Sequence, residues 1–258
     1  MLKEGIGLNL FSIRNYLDSE EHFLEAMKKL REMGYSYVQF SGAVFDAPMI
    51  KRVSESSGLP VVLTHVPMER IINDTEALMN EHESIGCRNI GLGMMPIEVI
   101  RDREKCFETI AMLNDAGRKM SERGFKLFYH HHHYEFTRYE GKTVFETLIE
   151  APYINFTLDT YWLQYGGNDV VKAIRKLGGR IECVHLKDYM IVFDDEKNCF
   201  EPRFAPVGDG NICFSEVIKA ARAAGAKYFL VEQDNAATLP DTLGQVERSA
   251  MYIDKYLT

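Results

Sequence analysis

The sequence predicts an α/β protein built as one (β/α)8 barrel, and three observations carry that prediction. Short apolar runs alternate with longer amphipathic ones, the pattern of repeated βα units feeding a parallel sheet. The apolar runs number eight. The chain has 258 residues, close to the ~250 that eight such units occupy.

The first run, Ile6–Phe11, reads as strand one. After it "DSEEHFLEAMKKLREMGY" predicts a helix over Ser19–Met33: Asp18 or Ser19 caps it, acids fill its first turn, bases its last, and Gly34 closes it. Strands two and three are Tyr35–Phe40 and Pro60–His65, followed by a helical stretch at Glu69–Ile85. Strand four is Asn89–Gly93, and the long amphipathic stretch Glu98–Arg123 ends at a glycine in "SERGFK". Strand five, Lys126–His131, leads to a helix at Thr143–Glu150, and strand six, Asn155–Asp159, to one at Asn168–Leu177. Strand seven is Cys183–Lys187. The segment Tyr189–Pro206 is too long for an ordinary βα loop and is expected to form a flap over the active face. "GDGN" at Gly208–Asn211 reads as a turn, Phe214–Ala224 as the next helix, closed by Gly225, and Tyr228–Glu232 as strand eight. An open doubly wound sheet is the competing topology, but no G-x-G-x-x-G follows the first strand. No linker divides the chain, so residues 1–258 are expected to form a single TIM barrel domain.

Hydrophobic residues make up 46% and charged residues 26%, enough apolar material for a large core. The net charge of -8 argues against broad affinity for nucleic acid, which rests on many Lys and Arg neutralising phosphates. Five scattered cysteines without metal-finger spacing read as free buried thiols of a reducing compartment. "MLKEGIGLNLFSIRN" carries no signal-peptide pattern, and no apolar run reaches the ~20 residues of a membrane helix, so a cytoplasmic protein with no membrane partner is expected. A homo-oligomer is compatible with this composition.

In a barrel of this type chemistry gathers where strands end. Strand three ends in His65, strand five runs through His130 to Glu135, and strand six ends in Asp159. Strand seven ends in His185 with Lys187 and Asp188, strand eight in Glu232 with Asp234. Any one of these could be a helix cap; so many on adjacent strands point to a site. Carboxylates converging with imidazole suit one divalent ion, Mn²⁺, Mg²⁺, Co²⁺ or Zn²⁺, and the donor set alone does not choose among them. Such an ion polarises a carbonyl, and spare carboxylate moves the proton beside it, which favours proton abstraction α to a carbonyl through a metal-stabilised enediolate. The run His130–His133 cannot share one ion, because alternation along a strand sends successive side chains to opposite faces.

Taken together, "GLNLFSIRN", "YHHHHYEF", "FTLDTYW", "VHLKDY", "PVGDGNICF" and "YFLVEQDN" resemble the sugar phosphate isomerase/epimerase group of the xylose isomerase-like TIM barrels, in order from residue 6 to about residue 235. The resemblance implies a divalent metal, Mn²⁺ first, held by a Glu after strand five, an Asp after six, a His after seven and a Glu after eight. The last three fall on Asp159, His185 and Glu232. For strand five it implies Glu135 of "HYEF", with His130 as the alternative. Related sequences often read "YHNHDFEF", so His131 and His133 stand where Asn and Asp are common, and their plainer reading is exposed or strand-packing imidazole. Glu135 and Glu232 would be the acid/base pair. His65, His130 and His132 would line the substrate pocket, Lys187 would supply a cation for substrate oxygens, and Trp162 an apolar wall for a sugar ring. Phe11 and Arg14 are weaker candidates.

The implied activity is isomerisation or epimerisation of a sugar, keto-sugar or related polyol, with a small-molecule sugar as partner. A dehydratase or lyase of inosose or 3-keto-glycoside type uses the same groups. An endonuclease IV-like enzyme needs a three-zinc cluster and a basic face, which an acidic chain with residues for one ion does not suggest. A non-catalytic sugar-binding barrel is disfavoured by the intact series Asp159, His185, Glu232.

Overall fold

A computed structural model describes residues 4–257. Eight parallel strands close into a barrel: β1 Gly7–Asn9, β2 Tyr37–Phe40, β3 Val61–His65, β4 Asn89–Leu92, β5 Lys126–His130, β6 Ile154–Asp159, β7 Cys183–Leu186 and β8 Tyr228–Val231. Each strand pairs with its sequence neighbours, and β8 closes on β1 with Gly7 opposite Leu230. All eight predicted strands are present, with ends displaced by no more than two residues. Strand one stops early because the Asn9 side chain accepts from the Phe11 N–H and starts a 3-10 turn over Leu10–Tyr16.

The helices differ more. The stretch 69–85 is two helices, Met68–Asn73 and Thr75–Ser84, because Asp74 is non-helical and the Thr75 hydroxyl takes the Ile71 carbonyl. The stretch 98–123 divides into Ile97–Ile100 and Arg103–Glu122, the second started by the Asp102 side chain capping Lys105. Three further helices were not predicted: Ala47–Ser57, Thr160–Tyr165 and Thr242–Tyr256. The first has Asp46 as cap, Pro48 in its opening turn and Gly58 at φ 72° as its stop.

The long segment after β7 is an antiparallel hairpin, Asp188–Asp194 against Cys199–Ala205. The Asp188 carboxylate anchors its base, accepting backbone N–H bonds from Gly208, Gly210 and Ile212 at 2.9–3.1 Å, so the "GDGN" turn is pinned from below. All five cysteines are free; Cys87, Cys106 and Cys183 are buried, whereas Cys199 and Cys213 are exposed, against the expectation of five buried thiols. No helix among the described residues is long and apolar enough to cross a membrane.

The barrel interior explains where the site must be. Tyr37, Leu63, Phe128, Cys183 and Leu230 form a separate buried cluster, drawn from β2, β3, β5, β7 and β8. Successive side chains on a strand alternate faces, so the residue two further along points the same way. Two residues on stand Gln39, His65, His130, His185 and Glu232. One apolar layer therefore carries one polar layer above it, at the C-terminal end of the barrel where enzymes on this fold do their chemistry.

Candidate active site

His130, Asp159, His185 and Glu232 each offer one ligand atom, and these atoms all lie within 4.8 Å of one another. All four side chains are buried. His185 donates from Nε2 to Gln39 Oε1 at 2.7 Å, which leaves its Nδ1 as an unprotonated lone pair. That Nδ1 lies 2.7 Å from Glu232 Oε2, an oxygen that also lies 2.9 Å from the Lys187 ammonium. Of these two buried acceptors, Lys187 supplies positive charge to Glu232 Oε2, and His185 Nδ1 has no donor among the described residues. Gln39 Nε2 in turn donates to His65 Nε2 at 2.9 Å, so one amide sets the tautomer of two imidazoles.

The other donors are oriented in the same manner. His130 Nδ1 donates to the Gly93 carbonyl at 3.0 Å and turns Nε2 toward Asp159 Oδ2, 3.3 Å away. Gly93 is required here: a Cβ at that position would stand 2.8 Å from His65 Nδ1. Asp159 Oδ1 caps the helix Thr160–Tyr165 through the Trp162 N–H, leaving Oδ2 for the cluster. Glu232 Oε1 accepts from Asn9 Nδ2 at 2.6 Å, and Asn9 is itself held by Ser41. Each ligand atom thus has its partner atom tied elsewhere, the arrangement that preorganises a metal site.

Lys187, almost fully buried, brings a cation to the same place. Its Nζ lies 2.9 Å from Glu232 Oε2, 3.1 Å from Asp159 Oδ2 and 3.0 Å from Asp234 Oδ1. Burial would raise the Glu232 carboxyl, but the Lys187 ammonium and the neighbouring His185 outweigh it and hold it well below the usual carboxylate range. Burial likewise disfavours charge on His130, yet its bond to Asp159 and the nearby Glu232 charge raise its pKa. Burial opposes ionisation of Asp159 too, and Lys187 and His130 reverse that, so the carboxylates are anionic.

Glu135 lies apart from this cluster. It stands in a 3-10 turn after β5, fully buried, with Oε1 receiving the Tyr129 hydroxyl and Oε2 the His132 N–H, both at 2.7 Å. Both oxygens are committed to the loop, and the position the resemblance gave to Glu135 in the cluster is filled by His130 at the strand end. Burial pushes Glu135 up to about 7. His65 and His132 line the cavity, with the His65 ring 5.4 Å from that of His130. His131 packs within the structure: its Nε2 accepts the Asp159 N–H, and burial lowers it to about 3. His133 is exposed and stacks on Trp162, whose ring lies 5.1 Å away and whose face is 5.2 Å from Lys187 Nζ. Arg14 donates to the carbonyls of Phe11 and Asp234, a structural use.

Two site residues escaped the sequence reading, Asn9 and Gln39, while Asp234, noted at the end of strand eight, is a cavity-lining partner of Lys187. Asn9 and Gln39 carried a signal, each being the polar residue of an otherwise apolar strand.

A closed barrel with two imidazoles and two carboxylates converging at its C-terminal end offers a ligand set that could hold a divalent ion. The chain belongs to the xylose isomerase-like TIM barrel family, whose model matches residues 27–256. It is 28% identical over 169 residues to inosose dehydratase from Clostridium perfringens, covering 58% of this chain and 54% of that protein. The chain spans about half the length of the curated relatives it matches. Among solved structures, a sugar phosphate isomerase/epimerase from Parabacteroides distasonis superposes with a TM-score of 0.80 at 19% identity, over 97% of this chain and 93% of that one. A xylose isomerase-like TIM barrel protein from Mycobacterium smegmatis, in complex with magnesium, superposes with a TM-score of 0.71 at 15% identity, over 100% and 99%.

Proposed function

We propose that this chain is a divalent-metal-dependent enzyme that removes a proton next to a carbonyl of a sugar, keto-sugar or related polyol, with isomerisation or epimerisation as the outcome. The observation that carries this reading is the convergence of four buried ligand atoms, from His130, Asp159, His185 and Glu232, within 4.8 Å of one another, with His185 Nδ1 left without a donor among the described residues. A bound divalent ion supplies electrophilic polarisation of a substrate oxygen and stabilises the charge that develops there. Two imidazoles beside two carboxylates suit a divalent ion without choosing among them; Mn²⁺ is taken first from the family resemblance, with Mg²⁺, Co²⁺ and Zn²⁺ as alternatives.

The chain's own residues do the remainder. Asn9 fixes Glu232 through Oε1 and aims Oε2 at the cluster, where the Glu232 carboxylate would take a proton from the substrate carbon. Lys187 and Asp234, paired at 3.0 Å, present a donor and an acceptor to substrate oxygens. His132 keeps an unpartnered Nδ1, and burial disfavours its charged form, which makes it a neutral hydrogen-bonding group on the cavity wall. Glu135, with both oxygens bound, is assigned to holding the His132 loop rather than to proton transfer.

The likeness to inosose dehydratases supports a second reading, in which the same proton abstraction is followed by expulsion of a β-hydroxyl as water. One experiment addresses both. Ketoses, keto-sugars and inososes are incubated with the protein and Mn²⁺ in D₂O. Deuterium at carbon with unchanged composition supports isomerisation, loss of one water supports the dehydratase, and no exchange with any of them refutes the proton-abstraction reading.

A further inference from the structure

The cavity above the polar layer is about 900 Å³, near the top of the ~300–1,000 Å³ range of pockets that enclose drug-sized ligands. A bare monosaccharide is far smaller than such a ligand. The lining is also sharply divided. His130, His132, Lys187, Glu232 and Asp234, from the ends of β5, β7 and β8, make a charged pole. The opposite wall follows β1 to β4 and is mostly apolar, with Phe11, Val44, Phe45, Met68, Leu92 and Met94 beside Ser41, His65 and Arg70. Val44 is 87% exposed and Met94 49% exposed, so apolar surface reaches the rim, where a soluble sugar offers nothing to cover it.

The cations of the lining are already engaged. Arg70 is held by both oxygens of Glu81, at 2.9 and 3.1 Å, with Asp74 at 3.7 Å. Lys187 is surrounded by three carboxylates. Beyond the divalent ion proposed above, no unpaired cation among the lining residues is left to compensate a phosphate or carboxylate of the substrate beside Glu232 and Asp234.

We infer that the substrate is a neutral, amphipathic carbohydrate derivative, with its hydroxylated or keto ring at the charged pole and an aryl or alkyl substituent along the wall after β1–β4. This rests on the sugar reading above and narrows its substrate class. The wall is continuous with the charged pole in one concave cavity, which favours one ligand bridging both over a protein partner docked on the rim.

Trp162 is the chain's only tryptophan, and its ring lies 5.1 Å from the ring of cavity-lining His132. Its fluorescence therefore reports occupancy of the charged pole. The full chain is titrated with glucose, glucose 6-phosphate, phenyl glucoside and octyl glucoside, by fluorescence and by calorimetry. The two glycosides are expected to bind about tenfold or more tighter than glucose, the gain from covering one apolar group, and the phosphate no tighter than glucose. Val44→Asp and Met94→Asp, both at exposed positions, are expected to bring the glycoside-to-glucose ratio toward one. Equal affinity for glucose and its glycosides, preference for the phosphate, a ratio that survives both variants, or no binding of either glycoside would overturn the inference. Binding requires no turnover, so loss of deuterium exchange with this preference intact refutes only the reaction, and the converse refutes only the substrate class.

Discussion

Replacing Gln39 by methionine tests whether a side chain that touches no substrate sets the properties of the metal site. Gln39 is fully buried, and its Oε1 is the acceptor for His185 Nε2–H at 2.7 Å. Methionine fills a similar volume with no acceptor, so His185 Nε2–H is left unpaired in a buried site, at a cost of about 1–3 kcal/mol. The imidazole can escape that cost by moving its proton to Nδ1, where Glu232 Oε2 stands 2.7 Å away and would accept it. In that tautomer the lone pair aimed at the cluster is gone. A metal must then reverse the proton shift before His185 can bind it. Outer partners of ligand histidines typically account for about 10–100-fold in metal affinity, and the cost of the unpaired donor falls in the same range.

The assay is calorimetric titration of Mn²⁺ and Co²⁺ into parent and Gln39→Met proteins, with urea denaturation in parallel. The expected result is a loss of roughly tenfold or more in affinity. Gln39→Glu retains an acceptor for Nε2–H and is expected to stay within a few-fold of the parent. A Gln39→Met protein that binds metal within twofold of the parent would refute the argument, whatever its stability, because the tautomer would then be set elsewhere.

Glu232→Gln should abolish solvent deuterium exchange, by about 10²–10⁴-fold or more, while leaving the urea midpoint close to the parent value; activity within a few-fold excludes Glu232 as the proton-transferring group. His185→Ala should lower the metal content found by elemental analysis, and an unchanged stoichiometry removes His185 from the ligand set. Glu135 has a folded pKa raised by burial from 4.5 to about 7, so its contribution to stability is complete below about pH 4.5 and lost as pH rises through 7, by about 3 kcal/mol at most. Urea midpoints should therefore fall between about pH 5 and pH 8.5, and Glu135→Gln should flatten that slope; a slope unaltered in the variant places the titration elsewhere. His82 works in the opposite direction. It is buried against Phe45, with Nδ1 donating to the Leu78 carbonyl and Nε2 accepting from Thr64, and burial lowers it to about 4. Its contribution is present above about pH 6.5 and lost as pH falls through 4, so His82→Gln should weaken acid unfolding in that window.

The strands were legible because each is an apolar run that a polar residue terminates, and the barrel follows from their number. Asp159, His185 and Glu232 stood out for the same reason, as polar residues ending "NFTLD", "CVH" and "FLVE". The helices 47–57 and 242–256 were harder to see because their caps, Asp46 and Asp241, look like ordinary loop residues until the backbone amides they accept are in place. Glu135, for which His130 was the alternative, lies apart from the cluster for a different reason. Glu135 stands beyond the end of β5, where strand alternation no longer governs direction, and a free carboxylate there folds back onto Tyr129 and the His132 amide.

Alternation would have decided the point. Tyr37, Leu63, Phe128, Cys183 and Leu230 close the barrel below the site. A step of two residues from each reaches Gln39, His65, His130, His185 and Glu232, and the same step from Gly7 and Thr157 reaches Asn9 and Asp159. That step selects His130 over both His131 and Glu135, and it includes Asn9 and Gln39, which residue type alone passes over. The run of four histidines therefore divides by position: His130 faces the cluster, His131 holds the Asp159 amide, His132 lines the cavity and His133 stacks outside on Trp162. Chemistry on this fold is assigned by the pleat of the strand first and by the chemical type of the side chain second.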